Sequence, residues 1–221
     1  MSGFGLTSRS SRLVCGMVLL LTARFTASAQ DRPSSACPFD GFSGPALLAE
    51  VSSPRATQAY IGCPPGGACK PVALPPRSVV FVYKTEGAWT CGYLTMRDGA
   101  GPGWVQSKDL RAVPADAAPP RHAWLGTWVN GEGRILITAA ADGAKLKLEG
   151  HSVWKGGRGV EHTGDFEGEA ASSGNRLHFV EGGADSCTID LTLVGPYLAA
   201  NDNNMCGGMN VRFWGVWKRA K

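Results

Sequence analysis

From residue 30 onward the chain alternates apolar and polar positions in short runs, and a helical period is hard to find in any of them. Cys187, Ile189, Leu191 and Leu193 fall on one side of an extended run, with Thr188, Asp190 and Thr192 on the other. The 30 glycines and 14 prolines cluster between such runs, which is the pattern of an all-β chain. In the first half the alternation predicts strands at Thr57–Ile61, Ser78–Lys84, Ala88–Leu94 and Gly103–Gln106. Residues 62–69 form an extended loop between the first two, and 98–103 a Gly-rich hairpin turn. The most helix-like stretch is Ala46 to Val51 (ALLAEV).

The second half repeats strand and turn eight times: Thr127–Asn130, Arg134–Ala139, Lys145–Glu149, Glu161–Glu169, Arg176–Glu181, Cys187–Val194, Tyr197–Ala200 and Val211–Lys218. Turns rich in Gly, Asn or Asp separate nearly all of them. Short turns between successive strands predict an up-and-down antiparallel meander, which removes its edges by closing into a barrel. A proline-rich linker at 114–122 separates the halves. The predicted organisation is a leader at 1–29, an N-terminal extension at 30–54, a small β domain at 55–113, the linker, and a meander barrel at 123–221.

The leader follows from Arg9 and Arg12, the apolar run from Leu13 to Ala23, and Ala27-Ser28-Ala29 in an A-x-A arrangement. That is the layout of a secretory signal peptide. Its apolar run of about eleven residues is short of the roughly 20 needed to span a bilayer. The chain is therefore expected in the periplasm or outside the cell, with no stable membrane insertion after cleavage. Removing Arg9, Arg12 and Arg24 lowers the net charge from +4 to +1, with 19 basic against 18 acidic groups. The basic and acidic groups are balanced in both halves, so nucleic acid is not an expected partner.

Cleavage also removes Cys15 and leaves Cys37, Cys63, Cys69, Cys91, Cys187 and Cys206. An even number in an exported chain reads as disulfides. If Cys187 pairs with Cys206 in the second domain, three arrangements remain for the other four, of which Cys63–Cys69 with Cys37–Cys91 is preferred. Closing the loop between Cys187 and Cys206 would stabilise the fold by roughly 3 kcal/mol.

Trp89, the Gly-rich turn and Gly103-Trp104-Val105-Gln106-Ser107-Lys108-Asp109-Leu110 resemble the bacterial Src-homology-3-like domain. The resemblance implies a small five-stranded barrel that binds peptides or cell-wall polymers such as peptidoglycan. Tyr60, Tyr83, Trp89, Tyr93 and Trp104 are then the candidate contact residues, each also a candidate for the barrel's own core. A Cys37–Cys91 bridge would draw the N-terminal extension over Trp89 or Tyr93. The second half resembles the small lipocalin-like or avidin-like barrels, with Leu125-Gly126-Thr127-Trp128 as the G-x-W element. That resemblance implies that Trp128 packs across the barrel bottom against a basic residue near the last strand, Arg212 or Arg219. At about 95 residues the barrel is expected to be filled by its own side chains.

Catalytic and metal-binding patterns are weak. Strand parity keeps His122, His151, His162 and His178 from converging, and there is no C-x-x-C. Asp165, Glu167 and Glu169 share a strand face, a spacing that glycoside hydrolysis can use but that solvated strands show far more often. The Asn-rich stretch 201–210 offers oxygens for calcium, although turn chemistry explains those residues better. The expectation is a non-catalytic envelope binding or scaffold protein without cofactor or metal. Its alternatives are an inhibitor of an enzyme such as lysozyme, and a small-molecule carrier using the second barrel.

Overall fold

The structure, a computed structural model, describes residues 32–38, 46–96, 99–131, 133–183 and 186–221. The leader read at 1–29 lies outside the described residues. The chain is all-β, built from a curved half-barrel sheet and a nearly closed nine-stranded antiparallel barrel.

The first sheet contains β1 (Leu47–Val51), β2 (Thr57–Ile61), β3 (Val72–Leu74), β4 (Val79–Glu86), β5 (Trp89–Met96), β6 (Gly99–Gln106) and β7 (Leu110–Ala112), ordered β3-β2-β6-β5-β4-β1-β7. Three expectations change here. The helix-like stretch at 46–51 is strand β1, because Leu48, Ala49 and Val51 are buried once it lies between β4 and β7. The N-terminal extension thus contributes an inner strand. β3 is interposed after the 62–69 loop, and β6 begins at Gly99, inside the segment read as a turn. Val51, Ala59, Leu74, Val80, Leu94 and Val105 form this sheet's core.

The second sheet contains β8 (Gly126–Asn130), β9 (Gly133–Ala139), β10 (Leu146–Lys155), β11 (Glu161–Ala170), β12 (Ser172–Ser173), β13 (Arg176–Val180), β14 (Thr188–Val194), β15 (Tyr197–Asp202) and β16 (Gly215–Arg219). The order β11-β10-β9-β8-β16-β15-β14-β13-β12 brings the last strand beside the first. The predicted run Lys145–Glu149 extends to Lys155, because β11 pairs with it over ten residues. The final strand begins at Gly215 instead of Val211, since residues 203–214 form a loop. The interior is filled by side chains: Phe166 lies 5.2 Å from Phe179 and 4.8 Å from Phe213, and Phe213 stacks on Trp217. Burying side chains of this size contributes roughly 1.5–3 kcal/mol each.

The seam between β11 and β13 is closed without a continuous ladder. At one end β11 runs into β12, which pairs with β13. Midway, Glu167 N–H donates to Glu181 Oε1 at 3.4 Å. At the other end the loop after β15 lies on β11. Gly208 N–H donates to Thr163 O at 3.0 Å, and Gly207 faces Gly164 so closely that a Cβ on Gly164 would sit 2.3 Å from Cys206 O. Only two glycines allow that approach.

A third core joins the sheets. Leu48, Val79 and Phe81 of the first pack on Val194, Ala199 and Val216 of the second. Tyr93 meets Trp214 edge-on, with centroids 4.4 Å apart.

Candidate functional site

Three disulfides are present. Cys37–Cys91 has its Cα atoms 5.4 Å apart, Cys187–Cys206 4.5 Å, and Cys63 is joined to Cys69 across the β2–β3 loop. These are the pairs preferred from the sequence.

The Cys37–Cys91 bridge decides what becomes of the five candidate aromatics. It holds residues 32–38 over the outer face of β5 and β6, where Cys37, Cys91, Trp89 and Trp104 are all buried. Trp104 is wholly covered, and its Nε1–H donates to Ser35 O at 3.0 Å. Tyr60 is half-buried against Trp89, in an edge contact of 5.6 Å. Tyr93 has turned into the core shared by the two sheets, where burial pushes its phenol pKa up. Tyr83 alone is exposed, at 36%. The five do not line one groove: Tyr60, Trp89 and Trp104 gather under the N-terminal segment, while Tyr93 and Tyr83 lie elsewhere.

At the barrel bottom the structure distinguishes the two candidate arginines. Arg219 places its guanidinium 4.4 Å from the centroid of the Trp128 ring. Its Nη2–H donates to Ala123 O at 2.7 Å, and its Nη1–H to Leu125 O. Gly126 supplies the room, since a Cβ there would lie 2.7 Å from Arg219 Nη1. Arg212 is not part of this closure. It sits in the loop before β16, where its carbonyl accepts from Ser152 Oγ.

The outer barrel wall carries a set of paired charges. Lys147 bridges Glu149 (2.9 Å) and Glu167 (2.8 Å), and those contacts raise its pKa. His151 pairs with Asp165 at 2.5 Å and His178 with Asp190 at 2.7 Å. A shallow groove of about 300 Å³ runs past Arg134, Glu149, His151, Asp165 and Glu181. Of its acids, Glu149 and Asp165 are paired with Lys147 and His151. Among the described residues, no three His, Cys, Asp or Glu side chains gather to hold a metal ion.

In the Asn-rich stretch, side chains are used for turn formation. Asn203 Oδ1 accepts from Thr188 and Met205 N–H, its Nδ2 donates to Ser186 O, and Asn204 and Asn210 have positive φ. Asp202 is different. Its Oδ2 accepts from Phe213 N–H at 2.7 Å, while Oδ1 is buried without a hydrogen-bond partner. Desolvation raises its pKa against the lowering effect of that hydrogen bond.

Sequence reasoning missed the junction between the sheets. There Tyr197 O–H donates to Glu50 Oε1 at 2.6 Å, and Arg111 Nη2 lies 3.7 Å from Glu50 Oε2. Burial, then the Glu50 contact, pushes the Tyr197 phenol up to about 12. Beside these residues is a cleft of about 520 Å³, floored by Val113, Pro114 and Pro196. Its signal was present: Val216 on the last strand and Trp214 just before it share the outward parity, where a free barrel would carry polar residues. No family model, curated protein or solved structure matches this chain.

Proposed function

We propose that this is a non-catalytic binding protein of the bacterial envelope, whose recognition surface is the cleft where the two sheets meet. The observation that carries this reading is the pairing of Glu50 and Arg111 over an apolar Val113–Pro114–Pro196 floor. Pockets of this volume at the meeting of two folded units are common ligand sites. The Arg111 side chain is 75% exposed, so its guanidinium can turn to a ligand carboxylate. Envelope peptides, including peptidoglycan stem peptides, offer carboxylates and amines with small apolar side chains between them. The leader and the resemblance to Src-homology-3-like modules support the same location and ligand class. The covered Trp89 and Trp104 move the site away from the aromatic face that the resemblance implies. The packed interior of the second barrel weighs against a carrier role.

The test is co-sedimentation of the oxidised mature chain with insoluble peptidoglycan. Retention that drops about tenfold in Arg111→Glu is the expected result, equal to about 1.4 kcal/mol. Wild-type chain left in the supernatant would overturn it. Inhibition of lysozyme without retention would establish the inhibitor reading in its place.

A further inference from the structure

The loop that seals the barrel seam carries two methionines facing solvent. Met205 is 54% exposed and Met209 74%, the greatest exposure among the described large apolar side chains. The backbone between them is fixed. Cys206 is bonded to Cys187, Gly207 rests against Gly164, and Gly208 N–H donates to Thr163 O. Met205 N–H is held by Asn203 Oδ1. The thioethers are therefore presented by a rigid support, not by a fraying segment.

The same loop meets a histidine. His162 has the inward parity of Phe166 but stands at the barrel mouth, where its Nδ1 lies 2.5 Å from Met209 O. A carbonyl can only accept, so Nδ1 donates in this contact and Nε2 is the ring nitrogen left to face a ligand. The Trp154 ring, 5.2 Å away and tilted by 31°, helps set the imidazole plane. Metal-binding imidazoles characteristically have this support, one ring nitrogen donating to a carbonyl while the other binds.

We propose that Met205, Met209 and Nε2 of His162 form a binding site for copper(I). Thioether and imidazole donors select this soft ion, whereas magnesium and calcium require oxygen ligands. Methionine has three rotatable side-chain bonds, so the sulfurs can turn to an ion beside the imidazole while the backbone stays in place. Asn203, which contributes its side chain to the loop's own hydrogen bonds, shapes the support and donates nothing to the ion. This inference does not depend on the peptide-binding cleft.

The test is an anaerobic titration of the disulfide-intact mature chain with copper(I) held by a chromogenic chelator. Silver(I) serves as a redox-inert probe of the methionine methyl and histidine ring resonances. The expected result is withdrawal of one copper equivalent from the chelator, with silver shifting Met205, Met209 and His162 and leaving Met96, His151 and His178 unmoved. Met205→Leu and Met209→Leu preserve volume and fold, and each weakens copper binding by about tenfold or more. His162→Asn does the same; if it does not fold, the two leucine variants decide. Copper left with the chelator, undiminished binding in the double leucine variant, or shifts at His151 or His178 instead would each overturn the proposal.

Discussion

Arg219 lies over the face of Trp128, 4.4 Å from the ring centroid, and also donates to the carbonyls of Ala123 and Leu125. One side chain near the C-terminus thus ties the last strand to the entry of the first barrel strand. Trp128 Nε1–H in turn donates to Trp124 O at 2.9 Å, so the cation closes a stack that is already anchored.

Replacing Arg219 with Met keeps the aliphatic stem and removes the charge-assisted donors. The expected cost is about 1–2 kcal/mol, reduced by solvent exposure from the larger values that buried pairs show. Urea unfolding measures it. Arg212→Met should change stability by less than about 0.5 kcal/mol.

Gly164→Ala forces a methyl into the backbone of Cys206 and Gly207, and should cost about 1–3 kcal/mol. Gly157→Ala, at a position with open space around it, is the control and should be near neutral. Limited proteolysis should show cleavage at 203–210 rising in the Gly164 variant alone. Equal behaviour of the two variants would show that the loop does not bear on β11.

Asp202 sets a pH dependence. Its folded pKa is raised, so the folded chain holds the proton more tightly than the unfolded chain does. Stability contributed by the protonated acid is therefore lost as pH rises from the ordinary carboxylate value of 3.8 through the raised folded value, and is constant above it. Asp202→Asn has no such step. Unfolding free energies of the two proteins, measured from about pH 3 to about pH 7, should converge or separate only within that window. Parallel curves would contradict the assignment.

Trp214→Ala removes the partner of Tyr93 and opens the core shared by the two sheets. A loss of about 3–5 kcal/mol is expected for a buried tryptophan, and less here because Trp214 is only half-buried. The wild type should melt in one calorimetric transition and the variant in two, the halves then unfolding separately. A single transition in both would mean that the remaining contacts suffice to couple them.

Much of the fold is legible from local chemistry. The period-2 alternation at Cys187–Val194 and the turns around it specify β14 and its neighbours, because one barrel face must be apolar and the other wet. Ser78–Lys84 and Ala88–Leu94 read as strands for the same reason, close to β4 and β5 as found. The errors lie where distant segments decide the structure. ALLAEV has good helix formers, but β4 and β7 flank it and tertiary burial overrides propensity. Residues 211–214 continue the alternation of β16, yet Asp202 captures the Phe213 N–H and holds that stretch as loop. The aromatic groove was legible as a set of residues but not as a surface. Its closure depends on a bridge 54 residues long in sequence. The junction cleft required knowing that Trp214 faces Tyr93.

Closing the seam with a loop also orders assembly. Gly207, which packs on Gly164, and the strand from Gly215 to Arg219 both follow β8 to β15 in the chain. Until these residues have left the ribosome, β8 and β15 lack their common neighbour and β11 presents an open edge. For most of its synthesis, the second half is therefore an unfinished sheet with hydrogen-bonding groups free to pair with other molecules. Truncations short of Arg219 should accordingly yield aggregates instead of smaller folded proteins.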